Sequence, residues 1–300
     1  MKAAGEQDGM MMEDSTPNGS PESGGILPRM KPTAISALVL FLGTVTGAAP
    51  QSKAMMPYDH IHLIEPAAEA SVWWEKNIPG GRRHPEGPNR LIYGAVRLVF
   101  QGGSATGGSQ GSVTEHLGFS VADLDAKMRE LEAINTKVVE PVKNVPGLYK
   151  TALIEDPWGT QIQLVQDPEL LGFHHVQLRM PDTEAGYAWF LDKFGGERTK
   201  MKGQVDAVKY GGGGFSTVYV LIAPGESVAS QGRAIDHLGW RSTAPINDTK
   251  TMLEGKQVQI TSQPRPLTLP NGPGANFFFI LGPSGTRIEI VERPGLKPGE

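Results

Sequence analysis

The chain has no cysteine. That excludes disulfide scaffolds, Cys-ligated zinc, iron–sulfur clusters and thiol catalysis. Any bound metal must therefore be held by His, Asp, Glu, Gln or Tyr. Excess basic charge is missing too: 28 Lys and Arg stand against 32 Asp and Glu, so no electrostatic footprint for nucleic acid exists. The apolar run from Ala34 to Val45 falls short of the ~18–20 residues that span a bilayer, which argues against a permanent anchor. What is present is 300 residues, 39% of them hydrophobic and 20% charged. This is enough for two domains of ordinary size, each with a core. The 38 glycines and 24 prolines exceed common usage and mark turns between short strands, or unstructured ends.

Residues 1–29 carry Gly, Ser, Pro, Asp and Glu with almost no large apolar side chains, the composition of a disordered tail. Residues 30–54 follow the grammar of a secretory signal peptide. Lys31 precedes the apolar run, small residues Thr46-Gly47-Ala48-Ala49 follow it, and cleavage fits after Ala48 or Ala54. Met30-Lys31 is the more natural start for such a segment. Export to a periplasm or to the exterior is the expectation, with a cytoplasmic protein the alternative.

The remainder is an internal repeat. Asp59-His60-Ile61-His62-Leu63 returns as His174-His175-Val176-Gln177-Leu178, 115 residues later. Glu115-His116-Leu117-Gly118-Phe119 returns as Asp236-His237-Leu238-Gly239-Trp240 after 121 residues, and the segment from Asp156 to Val165 returns at Gly282 to Val291 after 126. The ordered, slowly drifting offsets predict two homologous domains, at 57–168 and 171–294. Each divides again into strand–helix–strand–strand units, four in all. Helices are predicted after Asp182, with Tyr187, Phe190, Leu191 and Phe194 on one face, and from Asp123, with Leu124, Met128 and Leu131. Trp73 and Trp74 read as helix packing residues, and the glycine-rich stretches Gln101–Gly111 and Gly211–Gly214 as hairpin loops.

Strand parity sorts the side chains. His175 shares a face with Gln177 and Arg179, His237 with Gly239 and Arg241, and Glu289 with Arg287, while apolar neighbours point the other way. By the same rule His174 belongs to the apolar face. The polar faces must meet water, a ligand or a metal.

These strands and hairpins, "D/E-H-L-G-F/W" and "D/G-P-x-G-T-x-I-x-I/L-V", resemble the vicinal oxygen chelate superfamily over residues 57–294. That superfamily includes glyoxalase I, extradiol dioxygenases, methylmalonyl-CoA epimerase and the bleomycin and fosfomycin resistance proteins. The resemblance implies an α+β fold of two tandem glyoxalase-like domains, each of paired βαβββ modules closing a curved mixed sheet around a cavity. It also implies metal ligands on the concave face. Carried onto this chain, these are His175, His237 and Glu289 in the second domain, a set suited to a divalent ion (Fe, Zn, Mn or Ni). In the first domain they are His60, His116 and Gln163, a degenerate set because neutral Gln163 brings no charge compensation.

The chain departs from the dioxygenases, having no His between His175 and His237 and no Tyr in Phe277-Phe278-Phe279. This disfavours ring cleavage. Where glyoxalase I and the epimerases usually show a further Glu ligand, spacing places Tyr219 and Arg97. Tyr219, with Glu289, is the candidate catalytic residue, as phenolate ligand or proton donor; a cavity-wall role is the alternative. Gln177, Arg241 and Arg287 are candidate substrate contacts, Arg241 and Arg287 as carboxylate or phosphate clamps or as solvated rim residues. The resulting expectation is a metal-dependent lyase, isomerase or oxygenase, monomeric or homodimeric, acting on a small oxygen-chelating substrate. The alternative is a metal-free small-molecule binding or resistance protein in which the same residues form a hydrogen-bonded cluster.

Overall fold

The computed structural model describes residues 56–269 and 274–300, which belong to one compact unit. The tail and signal-peptide expectations, at 1–29 and 30–54, lie outside the described residues. The first module comprises β1 (Tyr58–Leu63), α1 (Ala67–Asn77), β2 (Gly81–Arg83), β3 (Arg90–Tyr93) and β4 (Val96–Phe100). The second comprises β5 (Thr114–Ser120), α2 (Leu124–Ala133), β6 (Lys137–Asn144), β7 (Lys150–Glu155) and β8 (Gln161–Val165). The third runs through β9 (Gly172–Met180), α3 (Thr183–Phe194), β10 (Glu197–Met201), β11 (Val205–Gly212) and β12 (Phe215–Pro224). The fourth has β13 (Ile235–Arg241), α4 (Ile246–Gly255), β14 (Gln259–Ile260), β15 (Arg265–Leu267), β16 (Ala275–Leu281) and β17 (Arg287–Glu292).

Local chemistry sets the helix ends. Asp123 and Asp182 each accept a hydrogen bond from the backbone N–H three residues on, at 3.0 and 2.9 Å, satisfying donors the first turn leaves free. Gly195, at φ 74, ends α3. Tyr187, Phe190 and Phe194 are buried along α3, and Leu124, Met128 and Leu131 along α2, matching the expected faces. Among the described residues no helix is long and apolar enough to cross a membrane.

The fold class is as expected: α+β, with modules paired into two curved mixed sheets. One runs β14-β16-β17-β13-β1-β4-β3-β2, with β15 on β16, and the other β10-β11-β12-β9-β5-β8-β7-β6. The composition of the pairs differs from expectation. The limits 57–168 and 171–294 fall at module ends, but each half of the chain sends one module to each sheet. β1 lies antiparallel to β13 and β5 to β9, so the first module joins the fourth and the second joins the third. The first and third modules share one opening strand and the second and fourth another, so the repeat alone does not say whether the first meets the second or the fourth.

The two sheets share one core. Trp74 of α1 packs on Phe119 of β5 at 5.7 Å between ring centroids, and Trp240 of β13 on Phe194 of α3 at 4.7 Å. A single apolar cluster contains residues of all four modules.

Candidate metal centre

Each module opens on the strand that carries its motif histidine, and each of these strands is irregular one residue earlier. The register slips at Asp59 and Asp236 where β1 meets β13, and at Glu115 and His174 where β5 meets β9. A bulge of this kind re-aims a side chain, so these residues escape simple alternation. Asp59 turns back to His60, with Oδ1 2.8 Å from Nδ1, and Asp236 does the same for His237 at 2.6 Å. The carboxylates accept hydrogen bonds from Nδ1–H and leave the Nε2 atoms as the ligating ends.

Pairing β1 with β13 sets His60 opposite Gly239 and His62 opposite His237. The glycine is there for space: a Cβ at Gly239 would lie 2.1 Å from Cε1 of His60. Gly239 in turn neighbours Glu289 on β17. The result, among the described residues, is a cluster of His60, His62, His237 and Glu289 whose ligating atoms lie within 4.8 Å of one another. Glu289 Oε2 is 3.2 Å from His237 Nε2, and Oε1 is 3.7 Å from His60 Nε2.

Electrostatics suit a cation. Burial works to raise the Glu289 carboxyl, but the His60 charge and the His237 hydrogen bond outweigh it and hold the pKa well below the usual range. Burial opposes a charge on His60, yet Glu289 and Asp59 raise its pKa. His62 is lowered, by burial first and then by His237 and His60, so it is neutral. His60 Nε2 is buried without a hydrogen-bond partner, an expensive state for a polar atom unless something binds it. This orphan and the carboxylate opposite fit a divalent ion.

The expected set His175, His237 and Glu289 is therefore not brought together. His237 and Glu289 stand beside His60 in one sheet, while His175 lies in the other, with Nε2 3.4 Å from Nε2 of His116. There Gly118 makes room for the His175 ring as Gly239 does for His60. Nor do His60, His116 and Gln163 form one site; Gln163 sits beside Gly118 on β8, in the place Glu289 holds in the first sheet. Burial, then Arg179, push His116 down to about 3, and burial, then His174 and His116, push His175 well down. His174 is buried and hydrogen-bonded, as a core His should be, but not on the apolar face. Its bulge turns Nδ1 to within 2.8 Å of His175 Nδ1, in the role Asp59 plays for His60.

Tyr219 pairs in register with His175 and Arg97 with His60, the equivalence the spacing suggested. Tyr219 is thus in the opposite sheet from Glu289, and the two do not form one catalytic pair. Gln177 faces His116 across the β5–β9 pair. Arg241 donates to the carbonyls of Arg293 (3.0 Å) and Leu296, so it fastens the C-terminal segment instead of facing the cluster. Arg287 pairs with Asp236 and lies 4.0 Å over the Phe279 ring, at the edge of the cluster. His62 was missed by sequence reasoning, although its place two residues after His60 on a strand put it on the same face.

No protein-family model and no curated protein matches the sequence. Solved structures do match. Glyoxalase I from Zea mays is similar at 17% identity over 80% of this chain and 92% of its own, with a TM-score of 0.59. A point mutant of that maize enzyme, with Gln in place of a Glu, gives 16%, 80%, 94% and 0.59. A candidate dioxygenase from Bacillus subtilis gives 17% over 81% of this chain and 86% of its own, with a TM-score of 0.54. At these identities the likeness establishes the fold.

Proposed function

The chain has the fold of the vicinal oxygen chelate superfamily, and from that premise we propose a divalent-metal enzyme whose ligands are His60, His237 and Glu289, with His62 beside them. The observation that carries the reading is the four-residue cluster with its unpartnered, buried His60 Nε2. A divalent ion held there would act as a Lewis acid toward neighbouring oxygens of a small substrate. Asp59 and Asp236 keep the imidazoles in the ligating tautomer. His62 is neutral and half-buried beside these groups, with Nδ1 2.6 Å from Gln101 Nε2. It is the group placed to take a proton from a substrate carbon or hydroxyl. The reaction class that follows is proton transfer next to a chelated oxygen, as in lyases and isomerases.

Elemental analysis after loading and gel filtration tests the reading. One divalent ion per chain is expected in the wild type and in His175→Ala, with at least a ten-fold loss of affinity in His60→Ala and Glu289→Gln. Absence of metal from the wild type, or equal content in all four proteins, would favour a metal-free binding protein.

A further inference from the structure

The two sides of the cluster are chemically unlike. In the sheet order the ligands occupy the midline strands β13 and β1 and the adjoining β17, with β4 and β3 on one side and β16 and β15 on the other.

The β3–β4 side is charged. Arg97 lies beside His60 in register, and Arg90 beside Val99, which itself neighbours His62. Glu86 is within 3.4 Å of Arg97, 3.5 Å of Arg90 and 3.3 Å of Arg293, and Arg293 also holds Asp59 at 3.0 Å. Three guanidiniums thus face two carboxylates. Arg97 Nη2 is buried with no hydrogen-bond partner, which leaves capacity for an oxyanion.

The β16 side is aromatic. Phe279 pairs with Glu289 and Phe277 with Val291, and with Ala275, Val291 and Leu267 they form an apolar cluster separate from the main core. Phe279 meets the His237 ring edge-on at 5.0 Å. Guanidiniums of Arg265 and Arg287 lie over Phe277 and Phe279 at 4.7 and 4.0 Å. At the positions of Phe277 and Phe279 the second module carries Thr151 and Leu153, so the aromatic wall belongs to the sheet that has the cluster.

We propose that the ligand of this site is an amphipathic chelating anion. Its neighbouring oxygens sit on the midline, its negative charge toward Arg90 and Arg97, and a ring-sized apolar body against Phe277 and Phe279. This rests on the metal-site reading and narrows its substrate class. An ion of charge +2 beside a wing with surplus positive charge selects an acid over a neutral chelator. The aromatic wall selects an acid with an apolar substituent over a bare one.

Glycolate and mandelate separate these contributions, because they share the 2-hydroxy-carboxylate chelate and differ by one phenyl ring. Both are titrated calorimetrically into the full chain loaded with Zn2+, with metal content measured on the same sample. Mandelate is expected to bind at least about ten-fold tighter than glycolate, given the area a phenyl ring buries. Phe277→Ala should bring the ratio below about three-fold, by weakening mandelate more than glycolate. Arg90→Gln should weaken both acids alike. Phe277→Leu, which keeps apolar volume, guards against loss of folding and should give an intermediate ratio. Equal binding of the two acids by loaded wild type, or a ratio indifferent to Phe277, overturns the proposal and leaves the metal reading standing. A wild type that holds no zinc overturns both.

Discussion

Gly239 and Gly118 show how much of this architecture rests on single atoms. Both have extended backbone and are glycine because a histidine ring from the paired module occupies the space of a side chain, with hypothetical Cβ contacts of 2.1 and 2.0 Å. Gly239→Ala must push His60 off its rotamer or open the β1–β13 pair. A destabilisation of about 1–3 kcal/mol is expected, as for other overpacked sites, together with weaker metal retention. Gly118→Ala should cost a similar amount by moving His175, with metal content unchanged. Urea melts and elemental analysis of the two variants check this, and equal metal loss in both would contradict the assignment of the site to one sheet. At this scale the sequence was partly legible. The glycine stood in both copies of the motif, and Glu289 against Gln163 marked one copy as the better ligand set. The faces of Asp59, Glu115, His174 and Asp236 were not legible, because a one-residue bulge cancels the period-two rule and depends on how two strands slip past each other. His62 was legible from parity and went unread because its counterpart in the repeat is Gln177.

Between elements, the junction of the first and second modules holds a buried carboxyl pair that the other junction lacks. Glu65, after β1, accepts from Thr160 Oγ1 at 2.6 Å and from Trp74 Nε1 at 3.2 Å. Asp156, in the β7–β8 turn, accepts from the same indole at 3.1 Å and from the backbone N–H groups of Trp158 and Thr160 at 3.0 and 2.8 Å. By the repeat offsets the opposite junction has Met180, Gly282 and Trp189 in the places of Glu65, Asp156 and Trp74. Burial, then the neighbouring Asp156, raise Glu65 well above the usual carboxyl range, and burial raises Asp156. The backbone donors favour charge on Asp156, so the proton sits on Glu65. A folded pKa above the unfolded one contributes stability that is complete below the unfolded value and is lost as pH rises through the folded one. The Glu65 contribution is therefore expected to fall between pH 5 and pH 8, so Glu65→Gln should shift the difference in stability between the two pH values by about 1–2 kcal/mol relative to the wild type, while the histidines held neutral by burial act with the opposite sign in both proteins. Denaturant unfolding at the two pH values measures it, and an unchanged pH slope in the variant would show that the pair does not hold the proton. The helices and hairpins at this scale followed from capping aspartates, apolar spacing and turn glycines. The order in which modules pair did not, since it is decided by contacts such as Trp74 on Phe119 that lie far apart in the chain.

For the whole molecule, the pairing of first with fourth and second with third modules makes the two sheets one cooperative object. Independent tandem domains would unfold separately, whereas a core shared among all four modules predicts a single calorimetric transition, followed alike by tryptophan fluorescence and far-ultraviolet dichroism. Two resolved transitions would contradict it. The same pairing sets an order of assembly during synthesis. The second and third modules are neighbours in the chain, and their sheet is complete once β12 has been made. β1 is among the first strands synthesised, and the edge it offers to β13 stays unpaired until the fourth module follows. At ~5–20 residues per second the last strand trails β12 by roughly 3–14 s. During that interval His60 and His62 wait without Glu289, and an open strand edge is available to other nascent chains until β13 pairs with it. The ligand cluster is thus the last part of the protein to come into being, and a chain truncated between β12 and β17 lacks its carboxylate, Glu289, while keeping all the strands of one sheet.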